Sequence, residues 1–221
     1  MKQNTNIKTL IFAAAVSLGA VSVAPAQSAP AMAPAPSPAP TEPLGGLLGS
    51  RYTEIGYNYI DLTGPGPKDA NGFAVAFNQP LRSNLDLTLD YDWARTHYAG
   101  DHFTQQDAEI GATAYSSLTW GRPFALAAVG WEWGRGGGIS DDSFRYKLGV
   151  GTEIPVARPV VITPFVNFVR ETGFNDNEVD FGVKAAYRVT KDWSVTARVQ
   201  YDAVSHAKDA AEYMLGVAYH F

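Results

Sequence analysis

From Arg51 onward, large apolar side chains recur at every second position, with polar, glycine or alanine residues between them. A period of two marks extended strands with two unlike faces, and almost no stretch shows the period of an amphipathic helix. Ten segments carry the pattern: 51–62, 72–80, 84–96, 107–118, 124–134, 144–155, 160–172, 178–190, 194–206 and 211–221. In the third, Leu85, Leu87, Leu89, Tyr91 and Trp93 oppose Asp86, Thr88, Asp90 and Asp92. In the eighth, Val179, Phe181, Val183, Ala185, Tyr187 and Val189 oppose Glu178, Asp180, Gly182, Lys184, Ala186 and Arg188. In the ninth, Val195, Ala197, Val199 and Tyr201 oppose Thr196, Arg198, Gln200 and Asp202. The last sets Tyr213, Leu215, Val217, Tyr219 and Phe221 against Glu212, Met214, Gly216, Ala218 and His220.

A soluble sandwich would turn the apolar face to a core and the polar face to water. Two features argue otherwise. The polar faces hold glycine, alanine and charges of both signs, which suits a crowded interior. The apolar faces carry aromatic residues near the segment ends, among them Trp93, Trp131, Trp133, Tyr187, Trp193 and Tyr219. Aromatic girdles of this kind belong to barrels in lipid, and about nine to eleven residues suffice for a tilted strand to cross the hydrocarbon. The sequence therefore predicts an all-β fold, an antiparallel up-and-down transmembrane β-barrel of ten strands over 51–221. Eight strands is the alternative if the second and fourth segments drop out. Connections also alternate: 63–71, 97–106, 134–143, 173–177 and 207–210 on one side, and the short 81–83, 119–123, 156–159 and 191–193 on the other. Short turns are periplasmic in outer-membrane barrels, so an even strand count places both ends of the barrel there.

Residues 1–50 break the pattern. Residues 1–8 are polar and basic, 9–24 are apolar, and 24–26 read Ala-Pro-Ala, the three-part layout of a secretory signal peptide with cleavage after Ala26. Residues 27–50 alternate alanine and proline, which favours an extended polyproline conformation. This linker reads as a semi-rigid periplasmic spacer, or as a docking strip, since proline-rich segments serve as ligands.

Composition narrows the function. The formal charge is −5, and removing Lys2 and Lys8 with the signal peptide leaves 15 basic against 22 acidic groups. That balance argues against nucleic acid, which asks for a basic face. There is no cysteine, hence no disulfide, thiolate metal site or lipid-modified cysteine. With 21 glycines and 27 aromatics, and no apolar run of helix-spanning length past the N-terminus, a helical membrane protein is disfavoured.

The strand pattern, the asymmetric connections, the leader and the ending "YMLGVAYHF" together resemble the small outer-membrane β-barrel proteins of diderm bacteria, the OmpA-type barrel domain and its relatives. The resemblance covers 51–221, without a C-terminal peptidoglycan-binding domain. It implies a monomer in the outer membrane, with membrane lipids and lipopolysaccharide as partners. It also implies that the assembly machinery reads Tyr213, Leu215, Val217, Tyr219 and Phe221. The scaffold alone does not choose among structural proteins, adhesins, pores and enzymes.

Inward-facing charges are the candidate functional residues: Glu54, Asp90, Glu109, Glu132, Arg145, Lys147, Lys184, Arg188, Arg198 and Asp202. A lone charge in a narrow lumen costs several kcal/mol, on the order of the penalty for an unpaired buried ion, so these must pair or be hydrated. One reading is an ionic plug. The other is a narrow pore for water or small solutes, with Gly56, Gly111, Gly130, Gly149, Gly151, Gly182 and Gly216 leaving room. A third reading is an outer-membrane protease with His97, Asp101, His102, Asp202 and His206 at the outer rim. That reading needs strands reaching far beyond the membrane, for which the chain looks short. No Ser-His-Asp spacing or metal-ligand cluster stands out; residues 140–142 and 175–178 offer oxygen ligands that could hold a divalent cation weakly, but neither has an EF-hand spacing and both read as ordinary loops. The expectation is a barrel with no catalytic residues, metal or cofactor, serving envelope structure or surface interaction.

Overall fold

A computed structural model describes residues 45–64, 66–98, 100–136, 139–173, 176–205 and 209–221. The leader, residues 27–44 and His206 lie outside the described residues. Ten strands form: β1 (Tyr52–Leu62), β2 (Asp69–Arg82), β3 (Leu85–Tyr98), β4 (Asp101–Tyr115), β5 (Arg122–Gly136), β6 (Ile139–Ala157), β7 (Val160–Glu171), β8 (Asp176–Arg188), β9 (Trp193–Val204) and β10 (Ala210–His220). Each pairs antiparallel with its sequence neighbours, and β1 pairs with β10 to close the barrel. Closure satisfies every backbone ladder inside the wall, the condition a sheet must meet to stand in lipid. The second and fourth segments are full strands of 14 and 15 residues, so the eight-strand alternative is excluded.

Burial follows the period of two. Along β10, Glu212, Met214, Gly216, Ala218 and His220 point inward and are buried, while Tyr213, Leu215, Val217 and Tyr219 point outward. Leu215 is 64% exposed and Ala218 not at all, a difference set only by parity. The outward band is aliphatic at mid-height, with Ile55, Leu89, Ile110, Val129, Leu148 and Val199. Aromatic rings meet above and below it. At the mouth where β1 begins and β10 ends, here the proximal mouth, Trp193 lies 4.9 Å from Tyr219, and Tyr219 5.5 Å from Phe221. Toward the distal mouth Phe73 stacks on Trp93 at 5.5 Å, and Phe181 lies 5.2 Å from Tyr201. From Tyr213 to Phe221 the strand rises roughly 26 Å at 3.3 Å per residue, or about 20 Å along the normal at a 40° tilt, near the height of a membrane barrel's apolar band.

On the distal side the strands outrun the sequence reading. Residues 97–106 and 134–143, expected as loops, are largely ladder: His97 pairs with His102, Tyr98 with Asp101 and Phe103 with Gly136. β6 alone runs 19 residues. Above the hydrocarbon the outer face no longer needs to be apolar, so the alternation fades while hydrogen bonding continues. The asymmetry between the two ends lies in strand extension more than in loop length. Proximal irregularities fall beside prolines, between Pro80 and Arg82 and between Pro155 and Ala157, where a ladder donor is missing.

The seam between first and last strands is held outside as well as along the ladder. The Phe221 amide donates to the Arg51 carbonyl at 3.3 Å, and the Arg51 guanidinium sits 4.9 Å from the Phe221 ring centre.

Candidate functional site

The lumen is closed at the proximal mouth by the chain just before β1. Residues 45–50, which the sequence groups with the linker, turn into the barrel. Two glycines permit the turn: a Cβ on Gly46 would collide with the Glu153 carboxylate, and Gly49 has a φ of 73° with the Tyr115 hydroxyl 2.7 Å from where its Cβ would be. The turn's backbone is held by wall side chains. Leu47 and Leu48 amides donate to Glu153 Oε1 at 2.7 and 3.0 Å, and the Gly49 amide to Asp86 Oδ2 at 2.8 Å. Arg122 Nη1 donates to the Leu48 carbonyl at 2.5 Å, Arg188 Nη2 to that of Gly46 at 3.2 Å, and Asn78 Nδ2 to that of Ser50 at 2.8 Å. Leu47 is 8% exposed and packs with Ala186, Ala218 and Tyr52. Acids meet amides and cations meet carbonyls, so the turn enters the mouth with these hydrogen bonds made, residues 45–47 buried and Gly49 still exposed.

Above this stopper, ion pairs link inward-facing side chains of the wall. Lys184 Nζ reaches Glu54 Oε2 at 2.5 Å, and Thr196 donates to Glu54 Oε1 at 2.6 Å. Arg145 lies 2.9 Å from Glu109, 3.2 Å from Asp107 and 3.8 Å from Glu132; Lys147 also pairs with Glu109. Arg198 Nη2 meets Glu212 Oε1 at 2.5 Å. Of the residues singled out from sequence, Glu54, Glu109, Glu132, Arg145, Lys147, Lys184 and Arg198 are thus joined in pairs. Arg188 instead serves the stopper and the Lys191 carbonyl. Asp90 lines the remaining cavity, and Asp202 accepts from Gln200 Nε2 at 2.6 Å. Sequence reasoning missed Asp107, the first residue of its segment, Arg122, assigned to a short connection, and the whole of 45–50, whose groups are backbone amides and carbonyls.

The inward glycines do not leave the room expected of them. Phe124 lies across Gly151, its Cζ 2.5 Å from where a Cβ would be; Phe165 lies across Gly182 at 2.8 Å and Met214 across Gly56 at 2.8 Å. Each glycine is a recess filled by a neighbour's side chain. What stays open is a cavity of about 370 Å³, floored by Leu47 and Leu48 and lined by nine carboxylates against four cationic side chains.

The residues weighed for a rim protease are separated by the wall. His97 and His102 touch edge to face at 4.4 Å on the outer surface, both exposed, whereas Asp202 is buried inside. No catalytic constellation is assembled among the described residues.

Neither a protein-family model nor a curated protein matches the chain. Solved structures of similar shape exist. The translocator domain of the autotransporter NalP from Neisseria meningitidis has 11% identity and a TM-score of 0.49, over 80% of this chain and 90% of that one. Neisserial surface protein A has 16% identity and a TM-score of 0.44, over 77% and 97%. Ail, the attachment invasion locus protein of Yersinia pestis, has 13% identity and a TM-score of 0.43, over 79% and 100%. At these identities the likeness concerns fold alone.

Proposed function

We propose that this protein is an outer-membrane barrel of structural or surface-interaction role, whose lumen is shut to solute flow. The observation that carries the reading is the filled lumen: the inward ion pairs Glu54–Lys184 and Arg145–Glu109, which join strands that are not neighbours, and Arg198–Glu212 along the wall, above a stopper bonded to Glu153 and Asp86. The lumen charges identified from sequence act to fix strand register and exclude flow. The outward aliphatic band between two aromatic belts supports residence in lipid, and the extended distal hairpins offer the outer surface for contact with other molecules. We infer further that residues 1–26 are a cleaved export signal, that 27–44 lie in the periplasm, and that the barrel is a monomer related to the OmpA-type domain. Its partners on this reading are membrane lipid and lipopolysaccharide, together with the assembly machinery, which engages Tyr213, Leu215, Val217, Tyr219 and Phe221. The outward alternation of those five residues at the seam supports that role.

The test is conductance of the purified mature protein in planar bilayers. The expected record is flat, with no steady unitary current at moderate voltage and molar salt. A steady current would favour the narrow-pore reading, for which the 370 Å³ cavity is the starting point.

A further inference from the structure

Nine carboxylates against four cations is a poor balance for a cavity walled by lipid-embedded strands. Each cation is already engaged: Arg145 and Lys147 with Glu109, Lys184 with Glu54, Arg198 with Glu212. Arg122 and Arg188 hold carbonyls of the stopper. Part of the surplus gathers at one place. Glu178 and Asp180 of β8 and Asp202 of β9 present three carboxylate oxygens within 4.8 Å of one another. Asp180 and Asp202 are direct cross-strand partners, a position where like charges destabilise a sheet.

Arg145 and Arg198 lie within electrostatic reach of this cluster, but each is already paired, with Glu109 and Glu212. The polar neighbours are two side-chain amides: Asn167 Nδ2 at 3.5 Å from Asp180 Oδ2, and Gln200 Nε2 at 2.6 Å from Asp202 Oδ1. Asp180 is only 4% exposed, and its Oδ1 has no hydrogen-bond partner. A buried carboxylate oxygen without a hydrogen-bond donor points to a partner of a different kind, a cation that takes its lone pair. The spacing suits one: a hard divalent cation takes oxygen ligands at about 2.3–2.6 Å, so oxygens on opposite sides of it lie roughly 4.6–5.2 Å apart.

We propose that Glu178, Asp180 and Asp202 bind a hard divalent cation of calcium type inside the barrel, tying β8 to β9 near the distal end of the cavity. Linear reading touches only Glu178, within 175–178, because the three ligands come from two strands and meet only through register. The site does not depend on whether the lumen conducts.

The experiment uses the chain refolded in zwitterionic detergent, stripped of metal with EDTA, and titrated with calcium chloride. Calorimetry should show one saturable calcium site per chain, and the thermal midpoint should rise with calcium. Asp180→Asn with Asp202→Asn should weaken calcium binding at least tenfold. In EDTA the same double variant should melt at or above the parent, since the repulsion is gone. Each single variant, with heat-modifiable gel migration as the check on folding, serves if the double variant does not fold. A parent that neither binds millimolar calcium nor shifts its midpoint overturns the proposal, as does an equal calcium response in parent and variants.

Discussion

Glu153→Ala should unseat the stopper. Its Oε1 accepts two backbone amides, from Leu47 and Leu48, and Leu47 is buried. A hydrogen bond to a charged group contributes about 1.5–3 kcal/mol. Two bonds on one oxygen are not fully additive, so the seat should lose about 3 kcal/mol, which is about two orders of magnitude in the population of the unseated turn. The native chain contains no cysteine, so a single reporter can be placed without background. Leu48→Cys is suitable, being half-buried and facing the cavity. Its labelling by a bulky maleimide, in protein whose fold is verified by heat-modifiable migration, should be slow in the parent. It should accelerate roughly a hundredfold when Glu153→Ala is added, at 1.36 kcal/mol per decade. Glu153→Gln keeps an acceptor oxygen and should accelerate labelling less. Equal rates in the presence and absence of Glu153 would refute the account of what holds residues 45–50.

Three further outcomes follow from the same geometry. Lys184→Met strands the buried Glu54 carboxylate and should cost about 3–5 kcal/mol in denaturant unfolding from micelles, much of it restored by adding Glu54→Gln; full cost in the double variant would show that the pair is not the cause. Gly151→Val drives a side chain into Phe124 and the Pro164 carbonyl and should lower stability by about 1–3 kcal/mol without opening a current, so a new conductance would contradict the filled-recess description. Phe221→Ala removes an exposed ring that touches Arg51 and Tyr219, contacts of about 0.5–1 kcal/mol each, so in vitro refolding should change modestly while the amount reaching the outer membrane falls further; equal losses in both would tie Phe221 to stability alone.

The wall of this barrel was legible from sequence because lipid and lumen make opposite demands on adjacent residues, and Val195 to Tyr201 or Tyr213 to Phe221 record that demand directly. Legibility faded where one demand lapsed. Past Trp93 and Trp131 the outer face meets water, so strand continuing to Tyr98 and Gly136 looked like loop. Which charge meets which was not legible at all. Glu54 and Lys184 are 130 residues apart, and only closure of the sheet brings them together. The same closure decides that Arg188 meets a carbonyl of Gly46 instead of a carboxylate. The stopper was hidden further still, since its recognised groups are peptide units that any sequence carries, and its two glycines read equally well as part of a flexible linker.

The stopper is joined to the wall by a single residue, since Ser50 bonds to Asn78 and Tyr52 already belongs to β1. It therefore behaves as a ligand on a very short tether. A short tether holds its ligand at an effective concentration on the order of millimolar, independent of how dilute the protein is. A free peptide of the same sequence, or any solute reaching the mouth at micromolar levels, would compete against that figure and lose. The mouth's vacancy rate is thus set by Glu153, Asp86 and Arg122 in each molecule, and the composition of the surrounding fluid has little say in it.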